Sequence, residues 1–108
     1  MHTMWSDHVQ GPMTLYLSRK LRFHDCFRPQ YVDKLQIARK ARILEIGCGP
    51  GALAAALHRW YPDAQITGID RDSRFIAFAK EHESGITFVE GDAAALPFPD
   101  QSFDVTIS

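Results

Sequence analysis

Ile43-Leu44-Glu45-Ile46-Gly47-Cys48-Gly49-Pro50-Gly51-Ala52 is the stretch that decides the fold. Its apolar first part predicts a buried strand, and Leu53 to Tyr61 predicts the helix that follows. Between them Gly47, Gly49 and Gly51 stand at alternate positions. A glycine-rich turn between strand and helix lets a ligand approach backbone N–H groups at a helix N-terminus. That is the nucleotide-cofactor corner of a doubly wound α/β sheet. The competing reading is a tight turn that serves only close packing of helix on strand.

Glu45 bears on which nucleotide. A pyrophosphate brings negative charge to this turn, and a carboxylate two residues before Gly47 repels it, the more so when desolvated. A ligand with positive charge gains from the same carboxylate. S-adenosylmethionine, with a sulfonium, an ammonium and one carboxylate, is such a ligand. Gly47-x-Gly49-x-x-Ala52 also fits the dinucleotide fingerprint, so the motif alone leaves both open.

The 108 residues are 45% hydrophobic and 23% charged with a net charge of −1, which fits at most one globular domain. A charge this close to zero gives no case for nucleic acid as the main partner. Met1 to Pro12 has no apolar signal core, and no run approaches a membrane span, so no membrane partner is expected. Cys26 and Cys48 form no CxxC or zinc pattern and read as reduced thiols of a cytoplasmic protein. The five histidines lack ligand spacing, and no metal site is expected.

Along the chain, residues 1 to about 12 read as irregular and Met13 to Leu21 as a short helix interrupted by Arg28-Pro29. Tyr31 to Lys40 has apolar residues at helical spacing. Strands are predicted at Arg42–Ile46, Gln65–Ile69, Ile86–Val89 and Phe103–Ile107. Helices are predicted over Gly51–Tyr61 and Ser73–His82, the second with Asp72 as N-cap. Gly91 to Ser102 reads as a loop. Strands alternating with helices predict parallel βαβ units. The last strand, Val105-Thr106-Ile107, is expected to be an open edge, which predicts self-association. The fold class expected is a Rossmann-like doubly wound α/β sheet truncated after its fourth strand. Residues 1–40 form an N-terminal helical segment and a possible lid; residues 41–108 form the front of the cofactor domain.

Glu45, Asp70 and Asp92 fall where successive strands end, on the side where a doubly wound sheet binds ligands. Asp70 follows Gly49 by about twenty residues, the separation at which an acid reaches ribose hydroxyls. Asp92 can accept from an adenine amino group. Three acids in one cleft favour a cation over a dianionic linker.

With these residues in place, the chain resembles class I S-adenosylmethionine-dependent methyltransferases, especially the small-molecule branch with ubiquinone and menaquinone biosynthesis methyltransferases. Glu45-x-Gly47-x-Gly49-x-Gly51 resembles the family's first motif and Gly68-Ile69-Asp70 its second. Gly91-Asp92-Ala93 through Leu96-Pro97-Phe98, then Phe103-Asp104-Val105, resembles the third motif running into the fourth strand. Arg28-Pro29-x-Tyr31 resembles a segment that some members carry before the first strand. The resemblance implies S-adenosyl-L-methionine as cofactor and methyl transfer to a small-molecule acceptor. It implies that Gly47, Cys48 and Gly49 present backbone to the methionine part and that Glu45 orients that part. It implies that Asp70 holds the ribose, that Arg71 and Ala93 flank the adenine, and that Asp92 bonds its amino group.

No catalytic base can be named; Tyr16 and His24 are the N-terminal candidates, and a surface histidine and a core tyrosine are the competing readings. Arg28 is a candidate partner for the methionine carboxylate if the N-terminal segment closes over the cofactor. Family members run on past the fourth strand, so no turnover and poor solubility are expected of these 108 residues alone. The alternatives are a catalytically inactive fragment or cofactor-binding remnant, and a nicotinamide-dependent oxidoreductase fragment.

Overall fold

The computed structural model describes residues 11–108. The expected irregular N-terminus, and Trp5 within the expected lid, lie outside those residues except for Gly11 and Pro12. Arg42–Ile46 (β1) carries Ile43 and Leu44, both buried, and forms an inner strand of a four-stranded parallel sheet. β1 pairs with Gln65–Asp70 (β2), which pairs with Thr87–Glu90 (β3); Val105–Ile107 (β4) pairs with the other side of β1. The order β3-β2-β1-β4 reverses direction between β1 and β4, so the topological switch point of the sheet lies at the end of β1.

The expected elements form with instructive differences. Pro12–Arg22 (α1) has proline in its first turn, where the missing N–H costs nothing. Arg28-Pro29 does not merely interrupt a helix. It opens one, Arg28–Leu35 (α2), because proline again occupies the first turn. This helix ends earlier than the periodicity to Lys40 suggests, since Gln36 turns left-handed at φ 49 and closes it. Ile37 is then free of the helix and enters the core.

Ala52–Trp60 (α3) and Ser73–His82 (α4) follow β1 and β2. Asp72 caps α4 through Arg74 N–H at 2.9 Å, as expected from sequence. The 91–102 loop contains a 3-10 turn over Ala93–Ala95, with Asp92 accepting from Ala94 N–H. β4 begins at Val105 rather than Phe103. Asp104 takes the Arg42 N–H and guanidinium with its carboxylate, leaving the strand ladder to start one residue later.

α3 is mostly alanine and leucine, and its buried residues pack with Ile43, Ile66, Ile76 and Phe88 in one core. α1 lies against α3 and α4, not apart from the sheet. Leu15 is its buried contact, Tyr16 Oη donates to Glu83 at 2.8 Å, and Asp25 accepts from both Arg59 and Trp60 Nε1 near the end of α3.

Gly51 enters α3 at φ +95, and a Cβ there would sit 3.1 Å from Phe88 Cζ and 3.2 Å from Ala79 Cβ. Gly51→Ala is expected to destabilise the chain by about 2–4 kcal/mol, from left-handed backbone strain plus overpacking. Chemical denaturation checks this; an unchanged midpoint would contradict the packing described here.

Candidate functional site

The carboxyl ends of β1, β2 and β3 enclose a cleft of about 290 Å³ lined by Ile46, Gly47, Ile69, Asp70, Arg71, Gly91, Asp92 and Ala93. Five of the eight residues expected from sequence meet there: Gly47, Asp70, Arg71, Asp92 and Ala93. The other three lie behind the lining. Glu45 is 7% exposed and Cys48 is 1% exposed, while Gly49 is covered by Arg19.

The glycine turn holds its own amides. The Gly47 and Cys48 N–H groups both donate to the Ile69 carbonyl, at 2.8 and 3.0 Å. Gly49 N–H donates to Asp70 Oδ2 at 3.0 Å, Gly51 N–H donates to the Cys48 carbonyl, and Pro50 has none. The sequence suggested bare N–H groups facing a ligand. The geometry corrects this, because the β1–β2 register that pairs Ile46 with Ile69 brings the Ile69 carbonyl under the turn. What the turn offers a ligand is open space: a Cβ on Gly47, at φ +73, would meet nothing within 4 Å.

Glu45 is the most perturbed acid. Burial pushes its carboxyl up to about 8, Asp70 adds to the rise, and the Arg19 guanidinium and the Ala54 amide of α3 pull the other way. Its Oε1 has no hydrogen-bond partner. A buried carboxyl with an orphaned oxygen just behind the lining of a cleft is a group waiting for a donor. Asp70 is already used twice, accepting from Gly49 and from Asp72 N–H at 2.8 Å. A carboxylate has about four acceptor positions, so two remain for a ligand. Asp92 caps Ala94 from an exposed position, and Arg71 is exposed at the rim. Burial raises the Cys48 thiol far above its ordinary range, with Glu45 and Asp70 adding to the rise, so Cys48 is packing and not a nucleophile.

The N-terminal candidates fare differently. Tyr16 is bound to Glu83, and burial followed by that contact pushes its hydroxyl up to about 12. His24 accepts from Cys26 N–H. Neither lines the cleft. Arg28 is exposed at the start of α2. Arg19 is the basic residue at the glycine turn: a Cβ built on Gly49 would lie 2.5 Å from its Nη1. Sequence reading missed Arg19; the available signal was its place beside Leu15, Tyr16 and Phe23 on the inward face of α1.

A cleft at the carboxyl ends of the strands, beside the topological switch point, is where a doubly wound sheet binds its ligand. Residues 43–108 match the family described as methyltransferase domain. The chain belongs to that family. It is 45% identical to the phthiotriol/phenolphthiotriol dimycocerosates methyltransferase of Mycobacterium leprae, over all of this chain and 42% of that protein. It is 44% identical over 69 residues to the fatty-acid O-methyltransferase of Mycolicibacterium smegmatis, covering 62% of this chain and 25% of that protein. The chain thus spans about a quarter to two fifths of these relatives.

Among solved structures, the plantazolicin methyltransferase BpumL with a desmethylPZN analog and SAH superposes with a TM-score of 0.67 at 25% identity, over 94% of this chain and 42% of that one. The mmp1179 protein of Methanococcus maripaludis shares the fold, with a TM-score of 0.78 at 20% identity over 98% of this chain and 52% of that one.

Proposed function

We propose that the chain forms the cofactor-binding part of an S-adenosyl-L-methionine-dependent methyltransferase acting on a small-molecule acceptor. The observation that carries this is the combination of an orphaned, buried Glu45 oxygen with a glycine turn whose amides are all engaged. The donor set fits this cofactor, because Glu45 keeps an unpaired oxygen for an ammonium. A pyrophosphate would find the amides of Gly47, Cys48, Gly49 and Gly51 already engaged. That disfavours the nicotinamide reading.

When bound, S-adenosyl-L-methionine supplies a methyl group activated by its sulfonium. In our reading Gly47, Cys48 and Gly49 shape the seat for its methionine part and Glu45 takes the ammonium. Asp70 holds the ribose hydroxyls with its remaining lone pairs, and its bond to Gly49 N–H fixes the turn relative to β2. Arg71 and Ala93 flank the adenine, and Asp92 accepts from its amino group. The chain's part in rate acceleration is positioning. A base is required only for an acceptor that must lose a proton.

The acceptor we propose carries an aliphatic chain. Support comes from the two relatives named for fatty-acid and dimycocerosate substrates. A second support is the outer face of α1, where Met13, Leu17 and Leu21 stand exposed in a row at i, i+4 and i+8. A cytoplasmic location fits two cysteines that are both free thiols. The outer edge of β4 is unpaired among the described residues, and self-association through it is part of this proposal.

The test is methyl-labelled S-adenosyl-L-methionine incubated with the chain extended to the length of its Mycobacterium leprae relative, together with a series of acceptors, from short acids to long-chain acids and phenols. Label in the organic extract that rises with chain length is expected. Transfer only to short, water-soluble acceptors would overturn the lipid reading. Absence of transfer together with absence of cofactor binding would overturn the methyltransferase reading.

A further inference from the structure

Of the five large apolar side chains exposed among the described residues, four fall in one short stretch: Met13, Leu17 and Leu21 on α1, and Phe27 in the turn after it. A surface helix ordinarily turns a polar face outward. α1 departs from this. Its inward side carries Leu15, which is buried and reaches the glycine turn: a Cβ on Gly49 would lie 4.0 Å from Leu15 Cδ2. Met13, Leu17 and Leu21 stand on the far side of the helix, in a row about 12 Å long at the helical rise of about 1.5 Å per residue.

Positive charge borders this row. Pro12 to His24 holds three basic residues and no acidic one. Lys20 follows Leu17 by three residues, the spacing of neighbours on a helix surface, and both it and Arg22 are exposed. Asp25, the next carboxylate along the chain, is paired with Arg59, and Glu83 accepts from Tyr16 Oη.

We propose that the outer face of α1 is a docking surface for an anionic lipid bilayer. Its apolar row enters the boundary between headgroups and acyl chains, and its basic residues meet the lipid phosphates. The proposal goes beyond the methyl-transfer reading and stands on α1 alone. No helix among the described residues is long and apolar enough to cross a membrane, and docking of this kind needs none. An interfacial helix joins a strip of apolar side chains to lysine and arginine beside it, and α1 has both. A second copy of the chain is a poorer occupant. A two-fold contact would set the basic residues against themselves. The exposed apolar area, on the order of a few hundred Å², also falls short of the roughly 800 Å² per partner of a standard interface. A bilayer sets no such minimum and brings negative charge of its own. Because the inward side of α1 rests on the glycine turn, docking holds the cofactor corner about one helix diameter, roughly 10 Å, from the lipid. An aliphatic acceptor dissolved in that bilayer then has a short path to the cleft.

The experiment is flotation of the whole chain with vesicles, either phosphatidylcholine alone or phosphatidylcholine mixed with phosphatidylglycerol, without cofactor or acceptor. Aggregates do not float, so self-association through β4 is not counted as binding. The chain is expected to float with the mixed vesicles, less with phosphatidylcholine alone, and less as salt is raised. Leu17→Gln combined with Leu21→Gln is expected to weaken partition into mixed vesicles about 10-fold or more, because two exposed leucines lose their burial in lipid. Lys20→Gln is expected to weaken it about 5-fold on mixed vesicles and to change little on phosphatidylcholine. All three side chains are exposed, and circular dichroism with a denaturation midpoint checks that the variants fold. Absence of flotation, flotation that survives the double substitution, or equal flotation with both kinds of vesicle would overturn the proposal. A dimer that the double substitution disperses, in place of flotation, would give the face to a second copy and overturn it as well. So would flotation that disappears when the chain is extended to the length of its Mycobacterium leprae relative, since later sequence would then cover the row.

Discussion

Glu45→Gln is expected to remove most of the pH dependence of the ligand-free chain's stability between pH 5 and 8. Burial holds the Glu45 carboxyl at about 8 in the fold, against 4.5 for the free group. The folded state therefore keeps a proton that the unfolded state has lost, and stability falls as pH rises through that window. The difference is on the order of 4 kcal/mol at pH 8 for one group shifted this far. Below the ordinary carboxyl range both states are protonated and the penalty vanishes.

Glutamine copies the neutral acid in shape and cannot ionise. The groups facing Glu45 are Arg19, Asp70 and the Ala54 amide, and none of them is altered by the substitution. Denaturation curves at pH 6, 7 and 8 test this, with the slope of stability against pH expected to be shallow in the variant. Parallel slopes in the two proteins would show that Glu45 is ionised in the fold. The same acid links binding to protons. An ammonium beside Glu45 favours its charged form, so binding of S-adenosylhomocysteine should release a proton and tighten from pH 6 to 8.

Asp70→Ala is expected to weaken cofactor binding by roughly 1.5–3 kcal/mol from the lost charged hydrogen bonds to the ribose. The structure adds a second effect. Gly49 and Asp72 N–H both rely on the Asp70 carboxylate, so the alanine variant also frees two amides and loosens the turn. A further stability loss of about 1–3 kcal/mol follows if one of them is left unpaired. Asp70→Asn keeps one acceptor oxygen and should lie between. Calorimetry and denaturation on the three proteins separate the two effects. A folded alanine variant with unchanged affinity would remove Asp70 from the site.

The strand β1, the glycine turn and the acids at the strand ends were legible because each rests on local chemistry. An apolar run with alternating glycines has few other conformations open to it, and parallel strands deliver their final residues to one side of the sheet. Asp72 was legible as a cap for the same local reason.

Four features were not legible. The occupied amides of Gly47 and Cys48 depend on where β2 places the Ile69 carbonyl, which is a matter of register. Arg19 reaches Gly49 only through the packing of α1 on α3 and α4, across thirty residues of sequence. Arg28 drew attention through its local motif, yet proline beside it only starts α2 at the surface. The second acid role, Asp70 as the pin that holds the turn, likewise required the loop geometry.

The central claim is that this cleft is built for a cation-bearing adenosine and not for a dinucleotide. Titration of the chain with S-adenosylhomocysteine and, separately, with NAD tests it most directly. Saturable binding of S-adenosylhomocysteine with NAD much weaker is the expected result. NAD binding as tightly or more tightly would contradict the account.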